Sequence, residues 1–164
     1  GAHDEPISGD AIVNNGFVSS ELWQQIQTAA LALFAKGQSL ADAAGLILVD
    51  TKYEFGIIDG QLALIDEVHT PDSSRYWNKI SYQANPTTPH SYDKEQLRLW
   101  LASKGYRGEG EIPVLDVEII NTLQKSYAFV VDSLTKHTVK HVDNSVSAIH
   151  TQVQALNKQY SGNQ

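Results

Sequence analysis

The chain has 164 residues, a formal charge of −7 and an apolar content of 41%, enough for one domain with its own core. The acidic balance leaves no basic stripe for phosphate backbones, so general nucleic-acid binding is not expected, and no apolar run reaches the length of a membrane span. Cysteine is absent, which excludes disulfides and thiolate metal sites; methionine is absent too, so the chain is expected to be part of a longer one.

Residues 1–18 read as a polar loop of weak periodicity. Ser19 or Ser20 caps a helix carrying Glu21 in its first turn and Leu22, Ile26, Ala29, Ala30 and Leu33 at helical spacing, with Gly37 suited to its C-terminal cap. A further helical turn, Leu40 to Ala44, leads through Gly45 into a buried strand, Leu46 to Val49. From Asp50 the pattern alternates, which predicts Asp50, Lys52 and Glu54 on one face and Thr51, Tyr53 and Phe55 on the other. Asp59-Gly60 predicts a hairpin turn, with Gln61 to Asp66 as the returning strand and Asp66-Glu67 as a second acidic pair. Thr70 to Arg75 is a turn-rich loop, and the stretch from Asn78 to Ser91, with Pro86 and Pro89, is an irregular connection. Ser91 or Asp93 starts a helix through Leu97, Trp100 and Leu101 that Gly105 stops. After Pro113 a longer helix turns Ile119, Ile120, Leu123, Tyr127, Val130, Val131 and Leu134 to the core. A last helix carries Val142, Val146, Ile149, Val153, Leu156 and Tyr160 as an apolar stripe, suited to a missing lobe or a second subunit.

Four carboxylates and a lysine thus meet on one hairpin. The plain reading is a solvated sheet face with an ion pair of little energetic value. The functional reading depends on register: a strict two-residue turn puts Glu67 opposite Lys52 and Ile65 opposite Glu54, whereas a loop one residue longer puts Asp66 opposite Glu54. Two facing carboxylates repel unless a cation lies between them. A magnesium ion, held by one or two carboxylates and substrate phosphates, would relieve that repulsion, which makes Glu54 and Asp66 the metal candidates. In TPDSSR the plain reading is a turn in which Asp72 and the serines bond local amides. The functional one is an anion cradle, with hydroxyls and amides donating and Arg75 adding a bidentate fork. His137 and His141 stand four apart but lack the glutamate and third ligand of a zinc site, and read as surface histidines. Neither common glycine-rich phosphate loop is present, nor is a G-x-S-x-G elbow.

DTKYEFG at 50–56, DEVHTPDSSRYW at 66–77 and SYDKEQLRLWL at 91–101, preceded by GAHDEPIS, give the chain from about Gly1 to Tyr127 a resemblance. It is similar to the C-terminal portion of the SAICAR synthase (phosphoribosylaminoimidazole-succinocarboxamide synthase) family. The resemblance implies an α+β fold: a small antiparallel sheet with the charged hairpin, flanked by four to five helices, as the C-terminal lobe of an ATP-grasp-related architecture. Residues 1–18 would lead from a missing N-terminal lobe, 19–140 would form the domain and 141–164 a helical extension.

The same resemblance implies a cytoplasmic ligase of purine biosynthesis. It would join L-aspartate to carboxyaminoimidazole ribonucleotide (CAIR) using ATP and Mg2+, through an acyl phosphate from which the aspartate amine displaces phosphate. By position, Glu54 and Asp66 would serve magnesium and ATP, while Asp50, Lys52 and Asp4 would be the catalytic and ribonucleotide contacts. Asp72, Ser73, Ser74 and Arg75 would hold the substrate's anionic groups, with Asp93 and Lys94 lining the same cleft. The family's glycine-rich N-terminal lobe, which carries much of the ATP site, is not in this sequence, so the chain is expected to be inactive alone. The implied partners are the small-molecule substrates, that lobe and a possible second copy, with neither nucleic acid nor membrane. The rival readings are a noncatalytic phosphoribonucleotide-binding module and an acidic metal-dependent hydrolase.

Overall fold

The computed structural model describes residues 6–136, 151, 153 and 154. Over them the chain runs α1 (Gly9–Asn14), α2 (Ser20–Ala43), β1 (Leu46–Thr51), β2 (Phe55–Ile58), β3 (Gln61–Leu64), β4 (Ser74–Asn78), α3 (Lys79–Ala84), α4 (Glu95–Ser103) and α5 (Val117–Thr135). The α+β expectation holds, with five helices and small antiparallel sheets among the described residues. Asp4, His137 and His141 lie outside these residues, as does the expected C-terminal helix apart from helical Thr151, Val153 and Gln154.

Side-chain caps set most helix starts. The Ser19 hydroxyl accepts from the Leu22 amide at 3.1 Å, and the Asp116 carboxylate from the Ile119 amide at 2.9 Å, each satisfying one of the orphan donors of a first turn. Two stretches read as irregular are helical for the same reason. Ser8 caps α1 at 3.2 Å, and Asn78 caps α3 by accepting from the Ser81 amide at 2.9 Å.

The sequence reading stops α2 at Gly37, yet the helix continues to Ala43. Gly37 is buried, and a β-carbon there would lie 2.4 Å from the His69 ring and 2.7 Å from Leu48. It therefore serves close packing rather than termination. Gly45, with φ 74°, takes the left-handed position after the helix.

The strands form two separate antiparallel pairs, β1 with β4 and β2 with β3, rather than one sheet around the hairpin. Leu46 and Leu48 of β1 and Tyr76 of β4 pack with Ala41 of α2 and Val130 of α5 into the core, and Phe34, Ala44, Tyr92 and Leu134 close around them. Ile120 and Val131, expected in the core, are exposed. Successive helical residues are about 100° apart, so Ile119 and Val130 take the inward face and their neighbours cannot.

Candidate functional site

The β1–β4 pair positions the site through one irregularity. Leu46, Ile47 and Leu48 pair in step with Asn78, Trp77 and Tyr76, but Asp50 pairs with Arg75 and Thr51 with Ser74, leaving Val49 as an extra residue. Such a bulge shifts which side chains face each other and bends the strand. It sets Asp50 opposite Arg75, whose guanidinium donates to the carboxylate in bidentate fashion, Nε to Oδ1 at 2.8 Å and a second nitrogen to Oδ2. The hydrogen bonds from Arg75 hold the Asp50 carboxyl below its ordinary pKa and push that of Arg75 up. The Thr51 and Ser74 hydroxyls meet at 2.8 Å. Strict alternation thus fails: Thr51 lines the cleft together with Asp50 and Lys52.

The loop before β4 is organised by Thr70. Its hydroxyl accepts from the amides of Asp72 (3.3 Å) and Ser73 (3.2 Å), its carbonyl accepts from the Ser74 amide at 3.0 Å, and it donates to the Glu67 carboxylate. The local turn bonds expected of Asp72 and the serines are thus centred on Thr70. Asp72, Ser73, Ser74 and Arg75 are left to form one side of a cleft of about 390 Å³. Asp50, Thr51 and Lys52, Asp66 and Glu67, and Lys94 line it with them, the Lys94 ammonium standing 3.6 Å from Asp72. Residues from three sequence motifs therefore meet in one place. Arg75 and Lys94 also line a larger hollow of about 920 Å³ along α4, which Arg98 and Arg107 share.

Two candidates stand apart from that cleft. Asp93 is 1% exposed, and its carboxylate accepts from the Tyr76 amide (3.0 Å), the Ser91 hydroxyl (2.6 Å) and the Glu95 amide (2.8 Å), fastening β4 to the start of α4. It lines the larger hollow rather than this cleft, and its bonds fix the backbone beside Arg75 and Lys94. Glu54 is not among the lining residues; its carboxylate pairs with the Lys52 ammonium at 2.6 Å. Thr51 and Glu67 are lining residues that sequence reasoning did not select. The acidic pair at 66–67 pointed toward Glu67, whereas only the bulge explains Thr51.

The hairpin register decides the earlier alternatives. Ile58 pairs with Gln61 and Phe55 with Leu64, and the Ile65 amide donates to the Glu54 carbonyl at 3.0 Å. The turn is the strict two-residue one, so Ile65 rather than Asp66 stands opposite Glu54, and the cross-strand reason for a Glu54–Asp66 pair is gone. Among the described residues no group of three or more His, Asp or Glu side chains forms a cage for a metal ion. The cleft's carboxylates, Asp50, Asp66, Glu67 and Asp72, are nevertheless hard oxygen donors. That set fits a magnesium ion that takes most of its ligands from phosphates and water.

Among described helices none is long and apolar enough to cross a membrane. A family model described as SAICAR synthetase matches residues 1–113. The chloroplastic phosphoribosylaminoimidazole-succinocarboxamide synthase of Arabidopsis thaliana is 44% identical over 138 residues, covering 81% of this chain and 34% of that protein. The solved SAICAR synthase of Saccharomyces cerevisiae, complexed with SAICAR, superposes with a TM-score of 0.72 at 33% identity, over 84% of this chain and 46% of that one. A SAICAR synthetase in complex with ADP superposes with a TM-score of 0.60 at 25% identity, over 85% of this chain and 48% of that one. The chain thus spans less than half the length of these relatives. With the matched region covering well over half of its residues, the chain belongs to the SAICAR synthetase family.

Proposed function

We propose that this chain supplies one wall of the active site of an ATP-dependent ligase that joins L-aspartate to CAIR, giving SAICAR in purine biosynthesis. The observation that carries the reading is the convergence of residues 50–52, 66–67, 72–75 and Lys94 on one cleft lined by the cations Lys52, Arg75 and Lys94 and the carboxylates Asp50, Asp66, Glu67 and Asp72. A ribonucleotide with a phosphate and a ring carboxylate needs cations at two points. Lys52 and Lys94 can supply point charges, and Arg75 a planar fork once a substrate anion replaces Asp50. Ser73 and Ser74 add hydroxyl donors. Magnesium, when bound, would screen the charge between substrate phosphates and carboxylate. Asp66 would hold it from this chain, and Glu54 could join only by giving up Lys52. No side-chain nucleophile is required, because the carboxylate would take the γ-phosphoryl of ATP with ADP leaving, and the aspartate amine would then attack the carbonyl and expel phosphate, losing a proton; positioning and charge stabilisation carry the catalysis. The ATP-grasp-related architecture and the cytoplasmic setting belong to this same reading.

The ligation is assigned to the protein of family length, and this chain's part is substrate binding. Titration calorimetry of the chain with CAIR, with and without magnesium and ATP, tests it. Binding that is lost in Arg75→Ala is expected; absence of any CAIR binding by the unaltered chain would sink the reading. SAICAR formation with aspartate present, against phosphate release without it, separates ligation from hydrolysis.

A further inference from the structure

His69 has φ 57° although it lies in neither a hairpin turn nor a helix end, unlike Asp59 and Lys136, the other described non-glycine residues with positive φ. Left-handed backbone at such a residue is strained and persists where surrounding contacts impose it. Here both halves of the residue are held. The Tyr53 hydroxyl meets His69 Nε2 at 2.6 Å, and the Tyr76 hydroxyl donates to the His69 carbonyl at 2.7 Å. The Tyr53 and His69 rings pack edge to face with centroids 5.6 Å apart, and the Cε1–Nδ1 edge of the imidazole lies where a side chain on Gly37 would clash. Burial pushes the Tyr76 phenol up to about 12 and the His69 imidazole down. The phenol therefore remains a donor, and the neutral ring offers one accepting and one donating nitrogen, either of which a tyrosine hydroxyl can complement.

The next residue is Thr70, whose hydroxyl and carbonyl organise Asp72, Ser73 and Ser74. A change at His69 from left-handed to extended backbone would swing that whole turn. We propose that Tyr53 and Tyr76, acting through His69, are positioning residues that hold the left-handed kink and so aim the Thr70–Arg75 cradle into the cleft. The cradle's role as a ribonucleotide site rests on the function proposed above; the clamp itself rests on the contacts just given.

Two readouts on the full chain keep the two apart. Amide hydrogen exchange at Asp72, Ser73 and Ser74 reports the cradle without any ligand. Tyr53→Phe keeps the ring and removes the hydroxyl, and is expected to speed exchange at these three amides roughly tenfold while β2–β3 amides stay unchanged. His69→Gly accepts the left-handed backbone without strain but lacks the ring, and is expected to loosen the same three amides. CAIR titration should then weaken roughly tenfold in both variants, with circular dichroism unchanged. A purely structural role would lower the thermal midpoint and leave exchange at the three amides and CAIR affinity as in the unaltered chain, and that result would overturn the proposal. If the unaltered chain binds no CAIR, the functional reading falls, and the exchange measurement still decides the clamp.

Discussion

Asp50 and Arg75 face each other across β1 and β4 as a bidentate carboxylate–guanidinium pair, with one contact at 2.8 Å, and they do so because Val49 is bulged out of the ladder. The pair is about half exposed on both sides. Such a pair adds little stability, yet it stores a fork already shaped for a substrate anion.

Replacing Asp50 by Asn is therefore expected to change unfolding stability by no more than about 1 kcal/mol in urea titrations, because exposed pairs seldom contribute more. The Asp50 carboxyl lies below its ordinary value of 3.8 because of the hydrogen bonds from Arg75. A depressed carboxylate stabilises the fold above its unfolded pKa, and that contribution fades as pH falls through the folded one. As pH falls from about 4 through the lower folded value, then, Asp50→Asn and the unaltered chain should converge in stability. Divergence there would mean that the pair is not what holds the carboxyl down.

Gly37→Ala sets two effects against each other. Alanine favours a helix over glycine by about 1 kcal/mol. The new methyl would meet the His69 ring at 2.4 Å and Leu48 at 2.7 Å, and overpacking a core contact costs about 1–3 kcal/mol. Net destabilisation is expected, read as a lower urea midpoint; a stabilised variant would show that α2 and His69 are not in this contact.

Asp93→Ala removes the acceptor for the Tyr76 amide, the Ser91 hydroxyl and the Glu95 amide at a site 1% exposed. Stranding those donors should cost on the order of 3 kcal/mol. Asp93→Asn keeps one accepting oxygen and should cost less. An alanine variant as stable as the unaltered chain, with weakened CAIR binding, would return Asp93 to the ligand contacts.

Stability against pH should show a plateau with two edges. Burial lowers the His69 pKa from 6.5, so the unfolded chain takes up the proton first and stability declines as pH falls below that value. Tyr76 is raised from 10 to about 12, so the unfolded chain loses its proton first and stability declines as pH rises between those values. His69→Asn, which tolerates left-handed backbone, should flatten the acid edge near pH 6, and Tyr76→Phe the alkaline one. Urea midpoints across the range measure both.

Local physics made much of this legible in the chain. Ser19 before an apolar helical stripe, Asp59-Gly60 between apolar runs, and Leu46 to Val49 before a polar switch each act over a few residues, and each appears as α2, the β2–β3 turn and β1. The family motifs named the cleft segments, and residues 50–52, 66, 72–75 and Lys94 do meet. Even so, Gly37 read as a helix stop, because a sequence window shows a missing side chain but not what lies 2.4 Å from it.

By itself, then, the sequence determined α2, β1, the β2–β3 hairpin, α4 and α5 through caps, periodicity and turn chemistry, and which residue types are available for binding, while α1, β4 and α3 read as irregular chain. Only the tertiary structure decided the partners. One unpaired residue, Val49, turns Asp50 onto Arg75, the strict hairpin register removes Asp66 from Glu54, and tyrosines from before and after it hold His69 in left-handed backbone. Register, bulges and long-range hydrogen bonds depend on what packs across the gap, and that information is spread over the whole chain rather than carried by any one stretch.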